Sequence, residues 1–399
     1  MRVLVVGAGP AGARVAERVA ERAAGAAVTL VGEEPALPYD RVALGRALSG
    51  EAEVEALITH PWEKLRGLGI AYRPSVRVAA IDRAARQALT TKGEAIGYDR
   101  LVLATGSRAV RLPLPGADLP GVFLYRTLAD VQAMARAAAG SRRAVVVGGG
   151  LLGLEAAACL ARRGLRVTVV HPVGWPMERQ LCRTSGGLLA RWLARGGIDF
   201  AMPAATAAIE GEERVTGLRL VDGRVLPAEI VVLAVGVRPD ASLAAAAGLP
   251  VNRAAVVDDA MRTADPDILA VGECAEHAGT VVGLVAPALA MAEAAAWTVA
   301  GEARGYVPKT DAAALKVSGV AVWSGGEVAP KDAEELTAQD PGAGHFRRFW
   351  LRDGRLVGAV LYGDAGDAGF YLDLIASGRA VGADRAGLAL GPDYLEQAA

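Results

Sequence analysis

Two glycine-rich hexads in this chain have the spacing to do one kind of chemistry. Gly7-Ala8-Gly9-Pro10-Ala11-Gly12 and Gly148-Gly149-Gly150-Leu151-Leu152-Gly153 are both G-x-G-x-x-G. Each follows an apolar, β-branched run, Arg2-Val3-Leu4-Val5-Val6 in one case and Ala144-Val145-Val146-Val147 in the other, and each opens an Ala-rich amphipathic stretch. Between a strand and a helix, the first glycine permits the tight turn and the third lets the helix lie close to the strand. The second lets the backbone approach a pyrophosphate at the positive helix N-terminus. An acid after the following strand would hold a ribose hydroxyl, and Glu33 and Glu34 stand at that place in the first copy. One such hexad alone is matched by ordinary glycine-rich turns. Two copies in the same context point to a chain that holds two dinucleotides.

The elements that must position these loops follow from periodicity. Arg2–Val6 reads as a strand, Ala11 to about Ala24 as a helix and Val28–Val31 as a strand. A polar, proline-containing stretch runs from Glu33 to about Glu55, with strand-like pieces at Ala71–Tyr72, Val76–Ile81, Arg86–Thr90 and Leu101–Ala104. After Pro113 and Pro115 the pattern restarts: strand Ala144–Val147, helix Leu152–Arg163, strand Val167–Val170. Ile230–Ala234 and Ile268–Val271 read as buried strands, about Pro287 to Ala300 as a helix and Gly301–Pro308 as a linker. The remainder, with strands Ala314–Val322, Phe346–Leu351 and Leu356–Tyr362 and a helix Ala368–Ser377, reads as a small α+β domain. The expected fold class is therefore α/β: two Rossmann-like three-layer dinucleotide-binding domains plus a small C-terminal α+β domain. The expected boundaries are 1–112, 113–235, 236–304 and 305–399, the first and third being two parts of one domain.

Bulk properties narrow the function. The 399 residues suit two or three domains, and 52% hydrophobic with only 5% aromatic residues suits helices packed closely on sheets. A net charge of −1 gives no reason to expect nucleic acid as a partner. The chain enters a strand at once, without a charged leader or an apolar span, so a soluble cytoplasmic protein is expected. Cys159, Cys182 and Cys274 form no C-x-x-C pair, and with four scattered histidines they complete no metal site. Inert buried thiols are the expectation.

The chain resembles the two-dinucleotide-fold flavoprotein reductases, the class that includes glutathione reductase and the ferredoxin reductases. Beyond the hexads, Tyr98-Asp99-Arg100-Leu101-Val102-Leu103-Ala104-Thr105-Gly106 resembles that class's crossing from the FAD to the NAD domain, and Leu233-Ala234-Val235-Gly236-Val237-Arg238-Pro239 the return crossing. Thr263 through Ile268-Leu269-Ala270-Val271-Gly272-Glu273 resembles the second FAD motif, with Glu273 in place of the usual Asp. This likeness covers about 1–300. A narrower one, to the N-terminal flavoprotein part of NADH-dependent assimilatory nitrite reductase large subunits, covers most of the chain. Leu37-Pro38-Tyr39-Asp40-Arg41, Val170-His171, Met177-Glu178-Arg179-Gln180-Leu181 and Gly272-Glu273-Cys274-Ala275-Glu276-His277 carry it. Gly283-Leu284-Val285-Ala286-Pro287, Leu315-Lys316-Val317-Ser318-Gly319-Val320 and Tyr371-Leu372-Asp373-Leu374-Ile375 extend it. It departs at Cys182, where that family often has Asp. It also departs beyond Cys274, where no cysteine follows to ligate an iron–sulfur cluster.

The resemblance implies FAD and NADH as cofactors, with NADPH less favoured. It implies cofactor contacts at Gly7, Gly9, Pro10, Ala11, Gly12, Glu33, Glu34, Arg41, Arg46, Val78, Ala104, Thr105, Gly106, Arg126, Gly148, Gly150, Leu151, Leu152, Gly153, His171, Gly236, Gly272, Glu273 and Val285. It gives Glu155 a part in turnover, near the nicotinamide and flavin. Plainer readings stand beside some of these: Glu155 as an ordinary helix glutamate, Arg46 as a solvated surface residue, Trp323 as core rather than a flavin cover. The strand end Val170-His171-Pro172-Val173-Gly174 has neither an arginine for a 2′-phosphate nor a carboxylate that would select NADH, so a moderate NADH bias is expected. The expected activity is NADH to FAD to a separate redox protein, a molybdenum nitrate reductase being favoured. The alternatives are a rubredoxin- or ferredoxin-type reductase and, in another class, a flavin-bearing structural or sensor subunit without turnover. The intact second hexad and Glu155 argue against the last.

Overall fold

Short β-branched runs that are apolar on both faces make parallel sheets covered by helices, and such runs build the centre of each half of this protein. The computed structural model describes residues 1–302, 304–308, 312–317, 319–381 and 385–397. Its contacts divide into two units: Met1–Ala109 with Arg126–Leu128 and Val237–Pro308, and Val110–Tyr125 with Ala129–Gly236 and Lys309–Ala399.

The first unit holds a five-stranded parallel sheet in the order Ile268–Ala270, Arg100–Leu103, Arg2–Val6, Ala27–Val31, Ala71–Arg73. Arg2–Val6 lies at its centre, and Val3, Leu4 and Val5 are fully buried. Helix Pro10–Arg22 returns the chain to Ala27–Val31, and helix Val285–Val299 packs against it. Both are alanine-rich where they meet, which allows close approach. At the edge of that contact Glu293 takes Arg18 at 2.8 Å and Arg22 at 2.6 Å. A three-stranded antiparallel sheet of Val78–Asp82, Gln87–Thr90 and Ala95–Gly97 completes the insertion between the third and fourth chain passes.

The second unit repeats the plan, with Ile198–Ala201, Arg166–Val170, Arg143–Val147, Ile230–Leu233 and Val122–Leu124 in one parallel sheet. Helix Leu151–Arg162 follows its central strand. The same unit takes in a five-stranded antiparallel sheet of Ala312–Val317, Val320–Gly326, Arg355–Gly363, His345–Arg352 and Glu334–Asp340. Helix Ala368–Ser377 covers it, and Trp323, Phe349, Leu361 and Tyr371 make its core.

Two local readings need correction. Ala314–Val322 is not one strand: Ala312–Val317 and Val320–Gly326 form a hairpin, paired at Val317 and Val320. Gly319, inside the run that reads as one strand, turns in the left-handed region at φ +87°. Ser318 lies outside the described residues, as do 309–311, 382–384, 398 and Ala399 in the expected C-terminal domain. Gly301–Pro308 is not a free linker either. Tyr306 is buried edge-on against His277, its N–H donating to Asp259 O at 2.6 Å. The polar stretch after Glu33 contains the short helix Leu44–Ser49. Among the described residues, no helix is long and apolar enough to cross a membrane.

Candidate functional site

The two hexads have nearly superposable sterics. Gly7 turns at φ +110°, and a Cβ there would sit 2.1 Å from Ala104 O; a Cβ on Gly12 would sit 1.8 Å from Gly7 O. In the second copy Gly148 turns at φ +118°, with Ala234 O at 2.2 Å from its would-be Cβ and Gly148 O at 2.0 Å from that of Gly153. The middle glycines differ from these. A Cβ on Gly9 or Gly150 would meet nothing within 4 Å. Each is the extended N-cap residue of its helix, with no side chain capping the first turn. Protein contacts therefore account for the outer glycines and not for the middle ones. The space beside Gly9 and Gly150, facing a helix N-terminus, fits an anionic diphosphate. Pro10 and Ala11 open the first helix; Leu151 and Leu152 open the second.

Around the first loop, side chains far apart in sequence converge. Glu34 accepts from Tyr39 Oη at 2.8 Å and from Arg41 at 2.7 Å, and Arg41 also donates to Arg126 O at 2.6 Å. Burial pushes the Tyr39 hydroxyl well above its ordinary range, so it remains a donor to Glu34. Arg126 itself pairs with Glu273, whose same oxygen accepts from Ser107 Oγ at 2.6 Å. Glu33 is more open, 49% exposed, and is paired to Arg108 at 3.2 Å and Arg77 at 3.3 Å. Of the two adjacent acids, Glu34 is thus committed to protein partners and Glu33 reaches the surface.

Ala104 is buried against the first loop, Thr105 Oγ1 donates to Asp240 O at 2.6 Å, and Gly106 turns at φ +69°. Gly272, at φ +74°, lies between the two helices, its would-be Cβ 3.3 Å from Ala11 Cβ and 3.7 Å from Ala288 Cβ. Val285 opens the second of those helices, again with no side-chain cap. Val78 is buried in this unit's core, and Arg46 is exposed on its short helix. Cys274 is buried with its Sγ on the Val271 and Leu103 carbonyls at 3.3 and 3.4 Å, and burial pushes the thiol up. All three cysteines are buried and none is in a disulfide.

In the second unit, Glu155 lies on the first turns of helix Leu151–Arg162 and accepts from Tyr125 Oη at 3.1 Å. Burial, and next the Glu155 carboxylate, push the Tyr125 hydroxyl above its ordinary range. Gly236, at φ +111°, ends the run after Ile230–Leu233, and Val110 N–H donates to its carbonyl at 3.0 Å. His171 is buried against the second loop: its Nδ1 takes the Gly149 N–H at 3.1 Å and its Nε2 contacts Glu178 at 3.0 Å. Cys182 is held by Ser185 Oγ at 3.3 Å and Arg348 at 3.6 Å. Trp323 is in the C-terminal core.

Sequence reasoning missed Ser107, Tyr125 and Glu178 as parts of this arrangement. Ser107 directly follows the Ala104-Thr105-Gly106 motif and Tyr125 precedes Arg126, so proximity to a motif was the available signal. Glu178 was visible only as part of the Met177–Leu181 motif, and the fold brings it to the strand end that had looked bare of carboxylates.

Two Rossmann-type units, each with an open glycine loop at a helix N-terminus, define a two-dinucleotide oxidoreductase architecture. The sequence profile of the pyridine nucleotide-disulphide oxidoreductases matches residues 1–297, and that of the rubredoxin NAD+ reductase C-terminal domain matches residues 312–379. The chain belongs to the pyridine nucleotide-disulphide oxidoreductase family, whose members are NAD(P)H-dependent flavoenzymes. It is 38% identical over 377 residues to a nitrite reductase [NAD(P)H] of Bacillus subtilis, covering 94% of this chain and 47% of that one. It is 36% identical over 381 residues to the assimilatory nitrate reductase electron transfer subunit of the same organism, covering 95% and 49%. The chain thus spans about half the length of these two relatives. The crystal structure of the ferredoxin reductase for the CYP199A2 system from Rhodopseudomonas palustris superposes with a TM-score of 0.91 at 30% identity, over 100% of this chain and 99% of that one.

Proposed function

We propose that this chain is an NADH:acceptor reductase that carries FAD at the first glycine loop, takes NADH at the second and reduces a separate redox protein. The observation that carries the reading is the repeated steric signature: outer glycines filled by backbone, middle glycines open at an uncapped helix N-terminus. Bound FAD would supply the hydride acceptance and the stepwise electron release. The chain's own groups would bind and orient. Gly9 and the first turn of helix Pro10–Arg22 would take the FAD diphosphate, and Glu33, the more open of the two acids, a ribose hydroxyl. Glu273 is poised by Ser107 and Arg126 to hold the flavin's polyhydroxyl chain, its longer carboxylate standing where Asp is usual. The Glu34–Arg41 pair braces Arg126 from behind through its carbonyl. Gly150 and its helix would take the NADH diphosphate, and Glu155, hydrogen-bonded by Tyr125, would lie on the nicotinamide side.

We favour a nitrogen-assimilation enzyme, a molybdenum nitrate reductase, as acceptor. The likeness to the nitrate reductase electron transfer subunit runs through 95% of the chain, C-terminal sheet included. A ferredoxin or rubredoxin acceptor is the second reading, favoured by the rubredoxin-reductase C-terminal profile and by the end-to-end match to a ferredoxin reductase. Reconstitution decides between them: NADH, this protein and the cognate nitrate reductase should give nitrate-dependent NADH oxidation. Fast reduction of a ferredoxin or rubredoxin from the same cell, with no electrons reaching the nitrate reductase, replaces the first reading with the second.

A further inference from the structure

A Rossmann unit distinguishes its two nicotinamide nucleotides at the end of its second strand, where the adenosine ribose meets the protein. Here that strand, Arg166–Val170, runs into His171 rather than into an acid. The imidazole does not point away from the fold. Gly149 N–H donates to Nδ1 at 3.1 Å, and because a backbone N–H can only donate, Nδ1 is the acceptor and Nε2 carries the hydrogen. That hydrogen is directed at the Glu178 carboxylate, 3.0 Å away.

The segment bearing Glu178 is tied to the same glycine. Met177 N–H donates to Gly149 O at 2.9 Å, and Met177 is buried in the left-handed region at φ +55°. A side-chain-bearing residue adopts that conformation only at a steric cost. The loop is held in it by the Leu181 and Gln180 N–H groups, both donating to Met177 O, and by Trp175 Nε1 donating to Leu181 O at 3.0 Å. Gly149 thus has both backbone groups engaged, one by the strand end and one by this loop. The result is a carboxylate at the mouth of the second glycine loop, 32% exposed on a 7% exposed histidine.

We infer that Glu178, oriented by His171, is the nucleotide-specificity residue: its carboxylate accepts the adenosine ribose hydroxyls of NADH and repels the 2′-phosphate of NADPH. The inference rests on the reading of the second loop as the nicotinamide-nucleotide site. It replaces a bias due merely to missing arginines with an active selection by charge. The neighbouring Arg179 is exposed and is the competing signal, since a guanidinium there would favour the 2′-phosphate.

The test uses the FAD-loaded protein and its Glu178→Gln variant. The glutamine side-chain oxygen can still accept from His171 Nε2, so the loop is preserved while the charge is lost. Calorimetric titration with ADP-ribose and with 2′-phospho-ADP-ribose reads the adenosine end alone, independently of turnover. The wild type should prefer ADP-ribose. The variant should lose about tenfold or more of that preference, the scale of a hydrogen bond to a charged group, partly through tighter binding of the phosphorylated ligand. The ratio of kcat/KM for NADH over NADPH should fall in parallel. Equal weakening of both ligands, or an unchanged ratio, overturns the inference, as does an Arg179→Gln variant that shifts the preference more than Glu178→Gln. Wild-type protein that binds neither ligand overturns the reading of the second loop itself, and this inference with it.

Discussion

Replacing the glycines of the first hexad one at a time separates packing from binding. In Gly12→Ala the new methyl would lie 1.8 Å from Gly7 O and 3.0 Å from Gly7 C, both backbone atoms that no rotamer change can move. The helix must back away from the strand, an overpacking cost of about 1–3 kcal/mol. For a unit of this size that lowers the melting temperature by about 2–4 °C per kcal/mol. In Gly9→Ala the methyl meets no protein atom within 4 Å, and the backbone, at φ −71° and ψ −177°, is open to any residue. The apoprotein should then unfold within about 1 kcal/mol of wild type, because lower unfolded-state entropy offsets a poorer N-cap. The methyl would instead occupy the space assigned to the diphosphate, and FAD affinity should drop by about tenfold or more. Urea unfolding of the apoproteins and fluorescence titration with FAD measure the two effects separately. A Gly9→Ala protein that binds FAD like wild type, or a Gly12→Ala protein as stable as wild type, would refute the assignment of these two glycines.

Other outcomes follow from the same geometry. The purified protein should be yellow and acid precipitation should free its flavin; flavin left on the denatured chain would contradict non-covalent binding. Changing Cys159, Cys182 and Cys274 together to Ser should leave most NADH–dye activity, since all three thiols are buried and unpaired by disulfides; a folded, FAD-loaded triple variant with none would show a cysteine in turnover. Arg126→Ala leaves a partly buried Glu273 with Ser107 alone and should weaken FAD retention in dialysis, whereas Arg41→Ala should do so less; the reverse order would discredit the bracing role given to Arg41. Burial alone would raise the Glu293 carboxyl, but Arg22 and Arg18 hold it below the usual range. A depressed folded-state value stabilises above the unfolded value of about 4.3. Glu293→Gln should therefore lower stability at pH 7, and the difference should shrink as pH falls below about 4 and through the folded-state value. A pH-independent difference between the two proteins would show that the charge is not the cause.

What the sequence determined by itself was the local steric demand. The two hexads, the β-branched runs before them and the helices after them were legible because a tight turn, a close helix–strand approach and an uncapped helix start constrain residue types within a few positions. Glu273 was legible as a member of a linear motif, and Arg126 as a matched basic position. Their pairing was not, since they stand 147 positions apart and meet only in the folded first unit, to which Arg126–Leu128 returns after strand Val122–Leu124. Nor could spacing tell which of Glu33 and Glu34 turns inward. That choice is made by Tyr39 and Arg41, delivered by the polar, proline-containing stretch that follows. The burial of Tyr306 was likewise decided by partners distant in the chain, whereas the hairpin at Gly319 pairs neighbouring segments. Glu178 shows the division best: nothing at the strand end is acidic, yet the backbone of Gly149 draws both His171 and the Met177 loop to itself and so sets a carboxylate at the mouth of the second glycine loop. A side chain's partner depends on where the backbone of other segments passes, and only the assembled sheets and loops fix that.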